Sequence, residues 1–218
     1  MIWNFIKVQH GFVYPDNPGL VSYRESERES NYLQFYYKAF LGQSVFSVSL
    51  AANRFDTDYN DRNDAPSDKI LGKTHYRDQS YIARSQLQKF FNNGGNIIFG
   101  MEFISDKSRS NVLRNIYTEP KQITIAGFTQ YRKEIIKKTI FDLGLRYDFR
   151  QVTGGDGYQS KVFKSISPKF SLYHNINQNI TGYLSYNEGF RAPSISELFL
   201  EYESSYGLLL LGNPDLKS

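Results

Sequence analysis

The densest run of oxygen ligands in the sequence is Asp56-Thr57-Asp58-Tyr59-Asn60-Asp61-Arg62-Asn63-Asp64. Closely spaced carboxylates and amides suit a hard cation such as calcium. An EF-hand loop needs glycine at its sixth position and glutamate at its twelfth. Those positions hold Asp61 and Ser67, so that motif fails. A different calcium site on Asp56, Asp58 and Asp61 is one expectation, and a solvated acidic loop is the other. The histidines, His10, His75 and His174, share no ligand spacing. His75-Tyr76-Arg77 closes a long polar stretch and could touch an anionic or metal-chelate ligand. The plainer reading makes these ordinary polar loop residues. Gly154-Gly155-Asp156-Gly157 reads as a loop tip; a phosphate cradle would need a strand before it and a helix after it. The chain has no cysteine, no Gly-x-Ser-x-Gly and no His-Glu-x-x-His, so no catalytic constellation is expected.

These residues must be positioned by strands. The chain has 218 residues, 16% of them aromatic, with 17 Tyr and 17 Phe. Mean hydropathy is nevertheless −0.51. Many strands with one apolar and one polar face would give that combination. No stretch is long and apolar enough for a helical span. The formal net charge of +4 is small for this length and does not imply nucleic acid.

Period two dominates the pattern. Phe141, Leu143, Leu145, Tyr147 and Phe149 alternate with Asp142, Gly144, Arg146, Asp148 and Arg150. A helix would mix these sets, whereas a strand separates them. The same alternation runs through Leu33–Leu41, Ser44–Arg54 and Asn96–Asp106. It recurs more weakly around Tyr81, Ile123, Phe170 and Leu184, and the opening stretch from Ile2 to Val13 is least clear. About nine strands are expected, most of them long enough to approach the ~9–11 residues that cross a membrane. The apolar set would meet lipid. The polar set, with Arg84, Glu102, Asp142, Arg146, Asp148 and Lys169, would line a lumen as a charge ladder or a hydrogen-bonded wall. Trp3, Phe90, Phe91, Tyr131 and Tyr147 are expected toward strand ends as interfacial aromatics.

The connections sort by length. Gly42-Gln43, Asn92–Gly95, Glu134–Lys138 and Asn175–Asn179 are short. Tyr14–Glu29, Asp56–Arg77, Lys107–Lys121 and Gln151–Ser160 are long and polar, and the two kinds alternate. An up-and-down meander then has all short turns on one rim and all long loops on the other. Outer-membrane barrels have that asymmetry. A soluble β-sandwich is the alternative, but gives no reason for the sorting.

The last strand stops at Asn187-Glu188-Gly189-Phe190-Arg191-Ala192-Pro193-Ser194-Ile195-Ser196-Glu197-Leu198-Phe199. Pro193 fixes its own backbone and disfavours helix at Ala192. Ser194 then caps a short turn, with Glu197 as its capping-box partner. After an apolar spacer comes Gly212-Asn213-Pro214-Asp215-Leu216-Lys217. The pair resembles the paired motif in the barrel of TonB-dependent outer-membrane receptors. Gly144-Leu145-Arg146-Tyr147-Asp148 and Ser167-Pro168-Lys169 resemble shorter motifs of that family. The chain departs from the family's "LKPE" at Leu216-Lys217-Ser218.

The resemblance implies an all-β, antiparallel up-and-down transmembrane barrel. Residues 1–218 would supply about nine of roughly 22 strands. The N-terminal plug and the C-terminal strands would lie outside this chain. The motif residues Gly189, Phe190, Arg191, Ala192, Pro193, Ser194, Glu197, Leu198, Gly212, Asn213, Pro214 and Leu216 would form a structural corner at the external rim. The implied function is TonB-energised uptake of a scarce ligand: siderophore-iron, cobalamin or an oligosaccharide. A passive porin or a barrel enzyme remains the alternative. Implied partners are the bilayer and lipopolysaccharide, the TonB complex through the plug, and a small-molecule or metal-chelate ligand. No cofactor is implied beyond the open question of calcium, and the implied location is the bacterial outer membrane with many crossings.

Overall fold

The computed structural model describes residues 2–13, 21–63, 70–110, 119–154, 160–203 and 209–217. Within these, residues 2–13, 21–25, 61–63, 70–73, 202–203 and 209–210 are described by backbone alone. The expected loop tip at Gly154–Gly157 lies mostly outside the described residues, as do Asp64, Ser67 and Ser218.

Nine strands follow one another in chain order: β1 (Ile2–Val13), β2 (Val21–Leu41), β3 (Ser44–Asn63), β4 (Ile70–Phe90), β5 (Asn96–Ser110), β6 (Lys121–Ile136), β7 (Thr139–Thr153), β8 (Lys161–Asn175) and β9 (Thr181–Asn187). They form one antiparallel sheet, each strand paired to its sequence neighbours, with β1 and β9 at its edges. The short turns fall where the sequence places them, including the Asn-Gly hairpin with Gly94 at φ 78°. Lys138 closes the β6–β7 turn at φ 69°, an uncommon value for a residue other than glycine. A short helix, α1 (Ile195–Phe199), and a two-stranded ribbon of β10 (Glu201–Glu203) and β11 (Leu209–Leu211) follow.

Register makes the face assignment collective. Phe35, Leu50, Ala83, Phe103, Ile125 and Phe149 are cross-strand partners in one row from β2 to β7. Two residues along each strand, the row is Tyr37, Val48, Ser85, Met101, Gly127, Tyr147 and Ile166. Toward the short turns comes Leu41, Ser44, Lys89, Ile97, Tyr131, Leu143, Phe170 and Tyr186. Many of the apolar side chains on this face are exposed: Phe35 is 57%, Met101 64%, Leu145 49% and Tyr186 58% accessible. The opposite, inner face, against which α1 packs, carries the charged set together with scattered apolar residues such as Ile82, Ile104 and Phe128. From Phe141 to Phe149 the apolar face spans about 26 Å along the strand at ~3.3 Å per residue.

Two expectations are corrected. The stretches read as long loops at Tyr14–Glu29 and Asp56–Arg77 are largely strand. β2, β3 and β4 remain paired well past the apolar rows, with Asp56 opposite Arg77 and Asp58 opposite His75. Beyond the apolar band both faces are polar, so alternation vanishes although the ladder continues. Cross-strand pairs hold the extension: Arg77 Nε donates to Asp56 at 2.5 Å, and Tyr59 and Tyr76 meet edge to face at 5.9 Å. Tyr147 lies in the middle of β7, not near its end. Aromatics gather instead at the short-turn end, at Tyr131, Phe141, Phe170 and Tyr186, with Phe141 and Phe170 edge to face at 5.6 Å.

On the inner face Gly100 and Phe128 are direct partners, and the Phe128 ring covers the glycine. A Cβ on Gly100 would sit 2.1 Å from the ring's Cζ. Gly100→Ala is expected to destabilise the sheet by about 1–3 kcal/mol through overpacking. Adding Phe128→Ala should recover part of that loss; additive effects in a urea-unfolding double-mutant cycle would show that the ring does not rest on Gly100.

Candidate functional site

The inner wall carries a connected ionic row. Arg84, Glu102, Ala126, Asp148 and Ser165 are successive cross-strand partners from β4 to β8. Arg84 Nε donates to Glu102 at 2.5 Å. Ala126 is small, so Arg146 reaches over it: its guanidinium donates to Glu102 at 2.9 Å and to both oxygens of Asp148 at 2.8–3.0 Å. Asp148 is 6% exposed, and the bidentate geometry supplies the partner that a buried carboxylate requires. Asp142 lies nearer the short turns, buried, and accepts from Gln130 at 2.7 and 2.8 Å. Lys169 stands opposite Gly144 on the same face. The six residues read from the sequence as one polar face thus share a face; four of them form a hydrogen-bonded network.

The paired motif is assembled by backbone contacts. Ser194 caps α1 by accepting from Glu197 N–H at 3.2 Å, and the Glu197 carboxylate accepts from Ser194 N–H at 2.8 Å. This is the capping box expected from the sequence. Glu197 also pairs with Arg191. The second half of the motif folds onto the C-terminal end of α1. Gly212 N–H donates to Leu200 O at 2.7 Å, and Asn213 N–H donates to Glu197 O at 2.8 Å. A Cβ on Gly212 would lie 2.7 Å from the backbone nitrogens of Phe199 and Leu200, so only glycine fits. Asp215 reaches Lys161 at 3.5 Å.

The motif does not stand clear of the wall as an external corner. β9 ends at Asn187, opposite Lys169 in the middle of β8, and Glu188 N–H still bonds to Pro168 O at 3.1 Å. From there the chain turns across the inner face. Ala192, Ile195, Leu198 and Phe199 bury against Val152 of β7 and Phe163 of β8, with Phe190 packed alongside. Val152 and Phe163 are the wall residues on which α1 rests. A cavity of about 350 Å³ remains between the segment and the wall, lined by Glu102, Arg146, Asp148, Arg150, Ser167 and the chain at 188–192. Arg150 ties wall to motif, donating to Thr124 Oγ1 at 3.2 Å and Ala192 O at 3.4 Å. Alternation places Arg150 on this face, but no local signal points to Ala192, which is 42 residues away.

The residues singled out for ligand or metal do not converge. His75, Tyr76 and Arg77 are consecutive in a strand, so they alternate faces. His75 and Arg77 point outward to Asp58 at 2.7 Å and Asp56 at 2.5 Å, whereas Tyr76 points inward onto Tyr59. Asp56 is occupied by Arg54 as well, at 2.6 Å. Burial pushes the Asp56 carboxyl up, and the two arginines outweigh it, holding the group below its ordinary range. Asp61 is a strand residue whose side chain lies outside the described set. Among the described residues, no group of three acidic or histidine side chains could hold a metal.

The model of one known family, described as TonB dependent receptor-like, beta-barrel, matches residues 5–218. No curated protein matches the chain.

Gly212→Ala should release the second half of the motif from α1. Limited proteolysis of the intact protein is then expected to cleave within 200–217 faster than in wild type, and an unchanged rate would show the contact to be dispensable. A pH dependence follows from Glu197, whose carboxyl is held below the usual range first by the Ser194 backbone N–H, then by its hydroxyl and by Arg191. A depressed folded pKa gives stabilisation that is complete above the unfolded value and lost as pH falls through the folded one. Protection of the segment should therefore fall in acid, and Glu197→Gln should flatten that profile.

Proposed function

The chain belongs to the β-barrel of the TonB-dependent receptors, a family of outer-membrane receptors and transporters rather than enzymes, and from that membership we propose that its strands cross the membrane as part of the barrel wall. The observation that carries this is the register. Apolar rows nine residues tall continue without interruption on one face, from Phe141 to Phe149 and from Leu33 to Leu41. On the opposite face Arg84, Glu102, Arg146 and Asp148 satisfy one another. Lipid supports the first arrangement and a water-filled lumen the second, because polar groups in hydrocarbon must find partners within the protein.

In this reading the wall catalyses nothing. It frames a lumen into which external ligand is delivered, and the long-connection side faces outward. Uptake energised by the TonB complex through a plug is the finer proposal, with a siderophore-iron complex, cobalamin or an oligosaccharide as ligand. The motif segment lying across the inner face favours this over a passive porin, since it occupies space that an open channel would leave to water. His75 and Arg77 take no part in ligand capture here, because they face away from the lumen and are already paired.

Two adjacent substitutions in the full-length receptor test the wall. Leu145→Arg puts a cation among outward apolar rows and should cost ~2–4 kcal/mol in assembly, lowering the folded fraction in the outer membrane. Arg146→Lys, on the inner face, keeps a cation beside buried Asp148 and should leave insertion intact. Equal behaviour in a heat-modifiability assay of outer-membrane fractions would overturn the face assignment. Deletion of the whole gene, followed by growth on ferric siderophores, cobalamin or oligosaccharides as sole source, distinguishes the ligand classes. Growth unaffected on all of them would remove the uptake proposal.

A further inference from the structure

Toward the long connections, β4 and β5 carry two carboxylates on the inner face, Asp78 and Asp106. Ser80 Oγ donates to Asp106 at 2.6 Å and Gln122 Nε2 donates to it at 3.1 Å, while Ser108 Oγ donates to Asp78 at 2.5 Å. These bonds fix the carboxylates without neutralising them. No lysine, arginine or histidine among the described residues pairs with either one. The nearest cations along β5, Lys107 and Arg109, are turned to the other face by strand alternation. Nearer the short turns, by contrast, Glu102 and Asp148 are each met by a guanidinium.

A third acceptor stands beside them. Asn53 on β3 shares the inner row of Ser80, Asp106 and Gln122. Its Oδ1 is buried and has no hydrogen-bond partner. A buried polar atom left so costs about 1–3 kcal/mol, which a donor brought from outside would recover. Asn53, Asp78 and Asp106 line one cavity of about 280 Å³ between the wall and the start of α1. Ser194, Ile195 and Ser196 close it from the lumen side, and the Phe55 ring, 40% exposed, gives it an apolar flank. Gln79 and Lys107 border it from the same strands, with side chains that alternation sends outward. Asn53 and Asp106 are two strands apart, roughly 10 Å at ~4.8 Å between strands, and Asp78 lies on the strand between them, one inner row away. One compact group in the middle can reach all three.

Three acceptors, two of them charged, call for a cation rich in donors. A primary ammonium has three N–H bonds and one positive charge. Phe55 adds a ring face of the kind that attracts cations. A neutral hydroxyl would satisfy Asn53 and leave both carboxylates uncompensated. A metal ion is disfavoured, since no group of three acidic or histidine side chains forms among the described residues. Because α1 already covers the cavity, the space suits a small ligand and not the surface of another domain.

We propose that this cavity is a subsite for the ammonium group of a small amine in the lumen, held by Asp78, Asp106 and Asn53 Oδ1. The subsite rests on the lumen reading above. It adds a cationic ligand chemistry, the opposite of the anionic one that His75–Arg77 suggest in the sequence.

The full-length receptor, extracted from outer membranes in mild detergent, tests it by saturation-transfer NMR at pH 6. Glucosamine is the probe, and glucose is its match without the ammonium. Wild type should bind glucosamine saturably, and glucose about tenfold more weakly or worse, because the charge-assisted bonds are missing. The double variant Asp78→Asn, Asp106→Asn should weaken glucosamine binding by about tenfold or more on the same grounds. Asp58→Asn, on the outward face, should match wild type. Asp78→Asn alone keeps an acceptor for Ser108 Oγ and should weaken binding severalfold; it carries the test where the double variant fails to assemble. Glucosamine binding that is not saturable in wild type, or equally tight in the Asp78 and Asp106 variants, overturns the proposal and leaves the barrel reading untouched. Equal binding of glucose overturns the ammonium assignment in favour of a neutral polyol. Recovery of the wild type outside the outer membrane overturns both readings together.

Discussion

A strand slipped by one residue against its neighbour presents the wrong face along its whole length. Everything else in this sheet depends on that constraint. Ladders among β2 to β8 hold one register through the apolar band; the shifts occur only near Arg62 and Glu134, outside it. Within the band, the outward residues of adjacent strands, most of them apolar, meet each other, and so do the inner residues. Short turns reinforce this, because a two-residue connection leaves no freedom to slip. From β2 to β8 each strand is paired to a neighbour on both sides.

The inner wall shows what fixed register makes possible. Arg84, Glu102 and Asp148 fall on one cross-strand row, and Ala126 between them contributes almost no side chain. Arg146 therefore bridges to Glu102 two strands away, at 2.9 Å, without displacing anything. A larger residue at position 126 would stand in that path. The network neutralises itself, so the wall presents fixed dipoles and hydrogen bonds rather than a strong field of one sign. On the outward face, beyond the apolar band, Asp56 likewise holds Arg54 and Arg77.

Which parts were legible in the sequence follows from what period two measures. It reports a difference in environment between two faces, not the presence of a strand. Phe141–Arg150 was plain because its outward side chains are apolar and its inward ones, apart from Gly144, are charged. Asp56–Asn63 and His75–Arg77 were opaque because both faces are polar there; the same ladder continues, and only pairs such as Asp56–Arg77 and Asp58–His75 mark it. The capping box at Ser194 and Glu197 was legible since its chemistry is local. Arg150's reach to Ala192 was not, because it depends on where a distant segment comes to rest. The same holds for Val152 and Phe163, whose partners on α1 come from a distant part of the chain.

The motif itself is better understood as a joint than as a surface. Its defining contacts are backbone to backbone: Gly212 to Leu200, Asn213 to Glu197, Glu188 to Pro168. Side chains in it mostly serve those contacts, Ser194 and Glu197 by capping, Leu198 and Phe199 by burial. Arg191, 82% exposed at its side chain, spends its charge on Glu197, and Asp215, 94% exposed, reaches Lys161. A segment that must leave a strand early, cross the inner face and still satisfy its amides has few solutions. Pro193 stops the extended run from becoming helix too soon, Ser194 starts the helix, and Gly212 lets the returning chain lie against the helix end at a distance no Cβ permits. The residue types that make this stretch recognisable are therefore those that its geometry requires, whatever ligand the barrel admits.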